Sequence, residues 1–168
     1  MGQPTVVVMG VSGGGKTTVG RLLAQRTGWS FLDADELHSA EAIAKMKAGV
    51  PLTDDDRAPW LDRVAEWIAA RRAAGEPAIV ACSALKRAYR DRLRQADPAL
   101  RLVYLKTDPQ VIAERLAHRH GHFFAPTLLN AQLADLDEPG RDEHPIIVEI
   151  GQSPGDEVDT ALAALGVR

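Results

Sequence analysis

The segment Gly10-Val11-Ser12-Gly13-Gly14-Gly15-Lys16-Thr17 satisfies G-x-x-x-x-G-K-[ST] at every fixed position and follows directly on an apolar run, Thr5 to Met9. In that context it reads as a phosphate-binding loop. Glycines without Cβ atoms let successive backbone N–H groups turn inward around a polyphosphate, and the helix that follows presents its positive end to the same anion. Lys16 is then expected to reach the β- and γ-phosphates and Thr17 to ligate Mg²⁺. A plain glycine-rich turn between strand and helix accounts for the glycines. It does not require Lys-Thr after the last of them, where a helical pattern begins.

The rest of the chain alternates apolar runs with helical patterns, which predicts βαβ units and a parallel sheet covered on both faces. Strands are expected at Val6 to Met9, Ser30 to Leu32, Ala78 to Cys82, Leu102 to Leu105 and Ile146 to Ile150. The first helix runs from Lys16, carries Val19, Leu22 and Leu23 at core spacing, and ends at Gly28. Others are predicted over Ala40 to Ala48, after Pro59 (with Leu61, Val64, Ala65 and Ile68 on one face), from Asp108-Pro109 to Leu116, and from Gly155 to Leu165. His118 to Pro126 has no apolar period and holds Gly121, so it reads as a mobile surface segment. No repeat or linker divides the 168 residues, a length that fits one domain.

Net charge is −3 and the two signs are interspersed, so the footprint of a nucleic-acid binder is missing. The basic stretch Lys86 to Arg94 contains Asp91 and has helical spacing; most of it reads as a solvated helix face. No apolar run approaches the roughly 20 residues of a membrane span, and no signal-like core opens the chain. The single cysteine, Cys82, ends an apolar run and reads as a buried thiol. A cytoplasmic protein is expected.

Further candidate residues fall after the predicted strands, where open α/β sheets collect ligands. Asp33 and Asp35 follow the second strand, one placed for Mg²⁺ and one for an acceptor hydroxyl. Asp35 or Ser39 could equally cap the next helix. Asp54-Asp55-Asp56-Arg57 precedes the helix expected from Pro59. The helix dipole explains one or two of the acids but not Arg57, whose guanidinium fork suits a carboxylate. Lys86, after the third strand, could bind an anionic group or simply open a basic helix. Arg115 and Arg119 can stack on a base and clamp phosphates, or face solvent. His118, His120 and His122 alternate in a loop without a nearby cysteine, a poor zinc pattern.

With these pieces in place, the chain resembles the small, thermoresistant type of gluconate kinase, a P-loop kinase family related to shikimate and nucleoside-monophosphate kinases. The resemblance rests on Met9 to Gly13 with Gly15-Lys16-Thr17, Phe31-Leu32-Asp33 with Asp35 and Leu37-His38, and Pro51-Leu52 with Asp54 to Arg57 and Pro59-Trp60-Leu61. Cys82-Ser83-Ala84-Leu85-Lys86 with Tyr89-Arg90-Asp91 and Gly121-His122-Phe123-Phe124 complete it. Gly14 stands where the family often has Ser or Ala. Asn130-Ala131-Gln132 replaces the more usual Glu-Ser-Gln, which puts a polar role at Ala131 in doubt.

The resemblance implies a three-layer α/β/α fold with a five-stranded parallel sheet, a substrate-binding helical segment and a short lid over about residues 118–126. It implies transfer of the γ-phosphoryl of ATP to the 6-hydroxyl of D-gluconate, with Mg²⁺, in a homodimer. Gly10 to Lys16, Thr17, Thr18, Arg115 and Arg119 would bind ATP, with Asp33 on the Mg²⁺ through water. Lys16, Asp35 and Arg119 would be catalytic, and Asp35, His38, Arg57 and Lys86 would bind gluconate. Arg57 and Lys86 both fit the substrate carboxylate. Another small-metabolite kinase of shikimate-kinase type and a non-kinase nucleotide switch are the alternative readings.

Overall fold

A computed structural model describes residues 4–11, 15–106, 108, 110, 126–150 and 153–167, with 126–129 as backbone only. Five strands, β1 (Val6–Met9), β2 (Ser30–Asp33), β3 (Ala78–Ala81), β4 (Arg101–Lys106) and β5 (Ile146–Glu149), form one sheet in the order β2-β3-β1-β4-β5. Every pairing is parallel, with Val7 opposite both Val80 and Leu102.

Alternate residues of the central strands β3, β1 and β4 build two cores, while β5 buries only Ile146 and Val148 and leaves Ile147 exposed. Val7, Met9, Val80, Leu102 and Tyr104 pack on α3 (Asp54–Ala73) and α4 (Arg87–Ala96), through Trp60, Val64, Ile68 and Leu93. Val6, Val8, Ile79, Val103 and Leu105 pack on α1 (Lys16–Thr27) and on the last helix, through Val19, Leu23, Val158 and Ala161. The central strands are apolar on both faces because both faces are covered. The helix after β1 and the helix after β3 therefore lie on opposite sides of adjacent strands, which leaves a crevice at the carboxyl ends of β1 and β3. Cys82, just past β3, is buried there, and burial pushes its thiol up to about 12.

The remaining helices are α2 (Ala40–Lys47), α5 (Pro126–Asp135) and α6 (Pro154–Leu165), with short 3-10 turns at Ala34–Leu37 and Arg141–Glu143. Gly28 closes α1 in the left-handed conformation, φ 75°, as its sequence position predicts. Asp108 accepts a hydrogen bond from the Gln110 N–H at 2.8 Å; the helix expected beyond it and residues 118–125 of the expected lid lie outside the described residues.

One helix start differs from expectation. Helix α3 begins at Asp54, and Pro59 lies inside it. The cause is a capping box: the Thr53 hydroxyl accepts from the Asp56 N–H at 3.1 Å, and the Asp56 carboxylate accepts from the Thr53 N–H at 2.9 Å. Two orphan donors are satisfied, and three acids line the positive end of the helix. Pro59 forfeits one bond to the Asp55 carbonyl, but both residues are exposed and water can take that carbonyl.

The Thr53 N–H, first, and the Lys45 ammonium hold the Asp56 carboxyl down to about 2. A lowered folded-state pKa makes the contribution complete above the unfolded value of about 4 and lost as pH falls towards 2. Asp56→Asn should therefore lower thermal stability at pH 7 and shrink the difference from wild type at pH 2.5. Parallel melting curves for the two proteins from pH 7 to 2.5 would contradict this.

Candidate functional site

The phosphate loop leaves β1 at Gly10, whose φ of 146° is closed to most side chains. A Cβ there would stand 3.0 Å from the Leu105 carbonyl oxygen, so glycine allows the close approach to β4. The Gly10 N–H donates to the Ser83 carbonyl at 3.3 Å, tying the ends of β1 and β3 together. Gly15, φ 89°, caps α1, whose first turn holds no acid to neutralise its positive end. Lys16 is buried, and its ammonium donates to the Val11 carbonyl at 3.2 Å. The Thr17 hydroxyl donates to Asp33 Oδ2 at 3.1 Å. Thr18 is exposed on α1. Ser12, Gly13, Gly14, Arg115, Arg119 and the three alternate histidines fall outside the described residues.

The acids have separate duties: Asp33 is the last residue of β2, one beyond the strand end that the sequence predicts, and Asp35 lies in the turn beyond it. Asp33 uses its second oxygen to accept from the Asp35 N–H at 3.1 Å and so caps the 3-10 turn, while Ser39 caps α2 through the Ala42 N–H. The Asp35 carboxylate caps no helix among the described residues; it is 64 % exposed and lies 3.8 Å from His38 Nε2. His38 stacks on Trp60 with ring centroids 4.3 Å apart. Trp60 is itself fixed by an Nε1–H bond to the Ala34 carbonyl at 2.7 Å. Nδ1 of His38 is buried and has no hydrogen-bond partner among the described residues. Burial lowers the His38 pKa against the opposing pull of Asp35, so the ring is neutral at pH 7.

Arg57 and Lys86 meet around Tyr89. Arg57 Nη1 donates to the Tyr89 hydroxyl at 2.8 Å and to Asp135 Oδ2 at 3.1 Å. Lys86 donates to Asp54 Oδ1 at 2.9 Å, and Tyr89 donates a short hydrogen bond to the same oxygen. Both cations lie over the tyrosine ring, at 5.5 and 5.7 Å from its centroid. The Tyr89 hydroxyl, first, and then Lys86 lower the Asp54 pKa; the Asp54 bond raises that of Lys86. Burial, with Asp54, raises the phenol.

The structure thus gathers Lys16, Thr17, Asp33 and Asp35 at the strand ends, seats His38 beside Asp35, and joins Arg57 to Lys86. The expected solvated face of α4 needs correction at Arg90, which is completely buried between Glu143 and the turn after β3. Sequence reasoning also missed the parts played by Tyr89, Trp60 and Asp135. Tyr89 and Leu93 sit four apart and buried, a core signal that hides the phenol's polar role. Nothing local marks Asp135, whose partners lie 49 or more positions away.

Tyr89→Phe removes the largest influence on Asp54. The Asp54 carboxyl should then titrate nearer its ordinary value while Lys86 still holds it somewhat low, as carbon-detected NMR can follow. An unchanged titration would remove the phenol from the centre of this cluster.

Residues 6–139 match a protein-family profile described as an AAA domain. The chain is 48% identical to a gluconokinase of Gluconobacter oxydans over 91% of its own length and 85% of that protein. It is 45% identical to the thermoresistant gluconokinase of Escherichia coli, over 84% of this chain and 81% of the relative. A crystal structure of a gluconokinase from Sinorhizobium meliloti superposes with a TM-score of 0.88 at 46% identity, covering 98% of this chain and 92% of that one.

Proposed function

The chain belongs to the gluconokinase family of P-loop kinases, and from that premise we propose that it transfers the γ-phosphoryl of ATP to the 6-hydroxyl of D-gluconate. The observation that carries the reading is the convergence of Arg57 and Lys86 on Tyr89, beside a turn after β3 that is bonded through Ser83 to Gly10 of the phosphate loop. A hydroxylated carboxylate offers one group to each part: its carboxylate to the two cations, its hydroxyls to Asp35 and the unpartnered Nδ1 of His38.

Transfer joins the 6-oxygen to the γ-phosphorus and breaks that phosphorus's bond to the bridging oxygen, which leaves on ADP. Through a loose transition state, the protein's work is to position the reactants and offset charge. Lys16, the loop amides and the N-terminus of α1 hold the phosphates, with Thr18 at the edge of the nucleotide site. The Thr17 hydroxyl and the Asp33 carboxylate are hard oxygen donors 3.1 Å apart and suit Mg²⁺. The ion, when bound, neutralises charge on the β- and γ-phosphates. Asp35 orients the 6-hydroxyl and accepts its proton. The resemblance assigns Arg115 to the adenine and Arg119, at the entrance to a lid over about residues 118–126, to the transferring group. We extend the proposal to a single domain that works as a cytoplasmic homodimer, a mass that sedimentation measures. No helix among the described residues is long and apolar enough to cross a membrane.

ADP release with gluconate, shikimate and nucleoside monophosphates offered in turn tests the substrate. Gluconate alone should stimulate it, and Lys16→Ala should abolish that stimulation with the circular dichroism spectrum unchanged. Stimulation by shikimate but not gluconate, or hydrolysis indifferent to all three, would replace this reading with a shikimate-type kinase or a nucleotide switch. Arg57→Ala should raise the gluconate KM by about tenfold or more while leaving that for ATP in place. An unchanged gluconate KM takes Arg57 out of the acceptor site.

A further inference from the structure

Arg90 is a buried cation that the phosphoryl-transfer chemistry does not use. Its side chain is 0% exposed, and the Glu143 side chain facing it is 1% exposed. The contact is a two-pronged one: Nε donates to Oε1 at 2.7 Å and Nη2 to Oε2 at 3.0 Å. The remaining prong, Nη1, donates to the Ala84 carbonyl at 2.9 Å and to the Leu85 carbonyl at 3.0 Å. Arg94 and the Gly140 N–H complete the shell around Glu143. Burial alone would raise the Glu143 pKa, but these donors prevail and hold it down to about 2.

A buried ion pair is a poor source of net stability, because desolvation offsets its attraction. What this pair fixes is the backbone between β3 and α4. Ala84 adopts φ 46°, a left-handed conformation disfavoured for a residue with a Cβ, and its carbonyl is one of the two that Arg90 holds. The same turn is held at its other points: Ser83 O accepts from Gly10, Leu85 O accepts from Asp137 N–H, and Arg87 N–H donates to the Asp137 carboxylate. Lys86 is the next residue, and Tyr89 lies three further on, one position before Arg90 itself.

We propose that Arg90 is a positioning residue for the acceptor half of the site, holding the Ala84–Leu85 turn in its left-handed form so that Lys86 and Tyr89 meet Arg57. This rests on the acceptor-site reading given above. Being wholly buried, Arg90 acts through the turn and not on substrate. Among the described residues the turn meets the phosphate loop through the Gly10–Ser83 hydrogen bond and the packing of Leu85 with Val11, whereas Lys86 and Tyr89 follow it directly in the chain, so the larger effect falls on the acceptor.

Arg90→Lys keeps the charge but replaces the fork by a single ammonium, which cannot serve both carboxylate oxygens and both carbonyls. In protein with a wild-type circular dichroism spectrum, the gluconate KM should rise about tenfold and the ATP KM change by less than about twofold. Because part of the effect passes through Lys86 and the rest through Tyr89, it should shrink when Lys86→Ala is already present. Glu143→Gln, which preserves shape and loses the paired charge, should show the same split at about threefold, and it decides the matter if Arg90→Lys does not fold. Equal changes in both KM values, an unchanged gluconate KM, or an undiminished effect in the Lys86→Ala background would each overturn the proposal. A wild-type protein that does not phosphorylate gluconate would instead overturn the substrate reading, which separates the two failures.

Discussion

Adjacent strands β1 and β3 send their following helices to opposite faces of the sheet, and the functional site depends on that divergence. Where the two strands part is the position at which open α/β sheets take up ligands. Gly10 bridges the gap through one bond to Ser83. On one side of it the chain becomes the phosphate loop and α1. On the other it becomes the tight turn that carries Lys86. Each half of the cleft is thus an extension of a fully buried strand, and the rigidity of the sheet is passed to both.

The two halves are electrostatically different. Around Lys16 the protein offers donors: a buried ammonium, a helix N-terminus without acids, and the Thr17 hydroxyl. Around Tyr89 cations are interleaved with the carboxylates of Asp54 and Asp135, all within hydrogen-bonding or ion-pair distance. Such a balanced cluster suits a ligand that is anionic at one end and hydroxylated along its length, because carboxylates left in the site can accept from hydroxyls.

Much of this was legible in the residues because the signals are local. Continuous apolar runs mark the central strands buried on both faces, Gly28 marks a helix end, and Gly15-Lys16 marks the start of the first helix. The start of α3 was not legible from Pro59, since the capping box of Thr53 and Asp56 outweighs one lost hydrogen bond in the second turn. Arg90 was hidden among basic residues that do face water; only the arrival of Glu143, 53 positions away, makes its burial tolerable. Tyr89 reads as core because its ring is core, while its hydroxyl finds Asp54 and Arg57 from another helix. Long-range pairings of this kind have no periodicity to betray them.

The strand order also bears on how the chain is made. β1 occupies the middle of the sheet, yet it is synthesised well before either neighbour, Ala78–Ala81 on one side and Arg101–Lys106 on the other. Until both have emerged from the ribosome, the run Val6-Val7-Val8-Met9 has neither its hydrogen-bonding ladder nor its two covering layers. The apolar strand that anchors the phosphate loop in the finished molecule therefore lacks its full set of partners until residue 106 has been made.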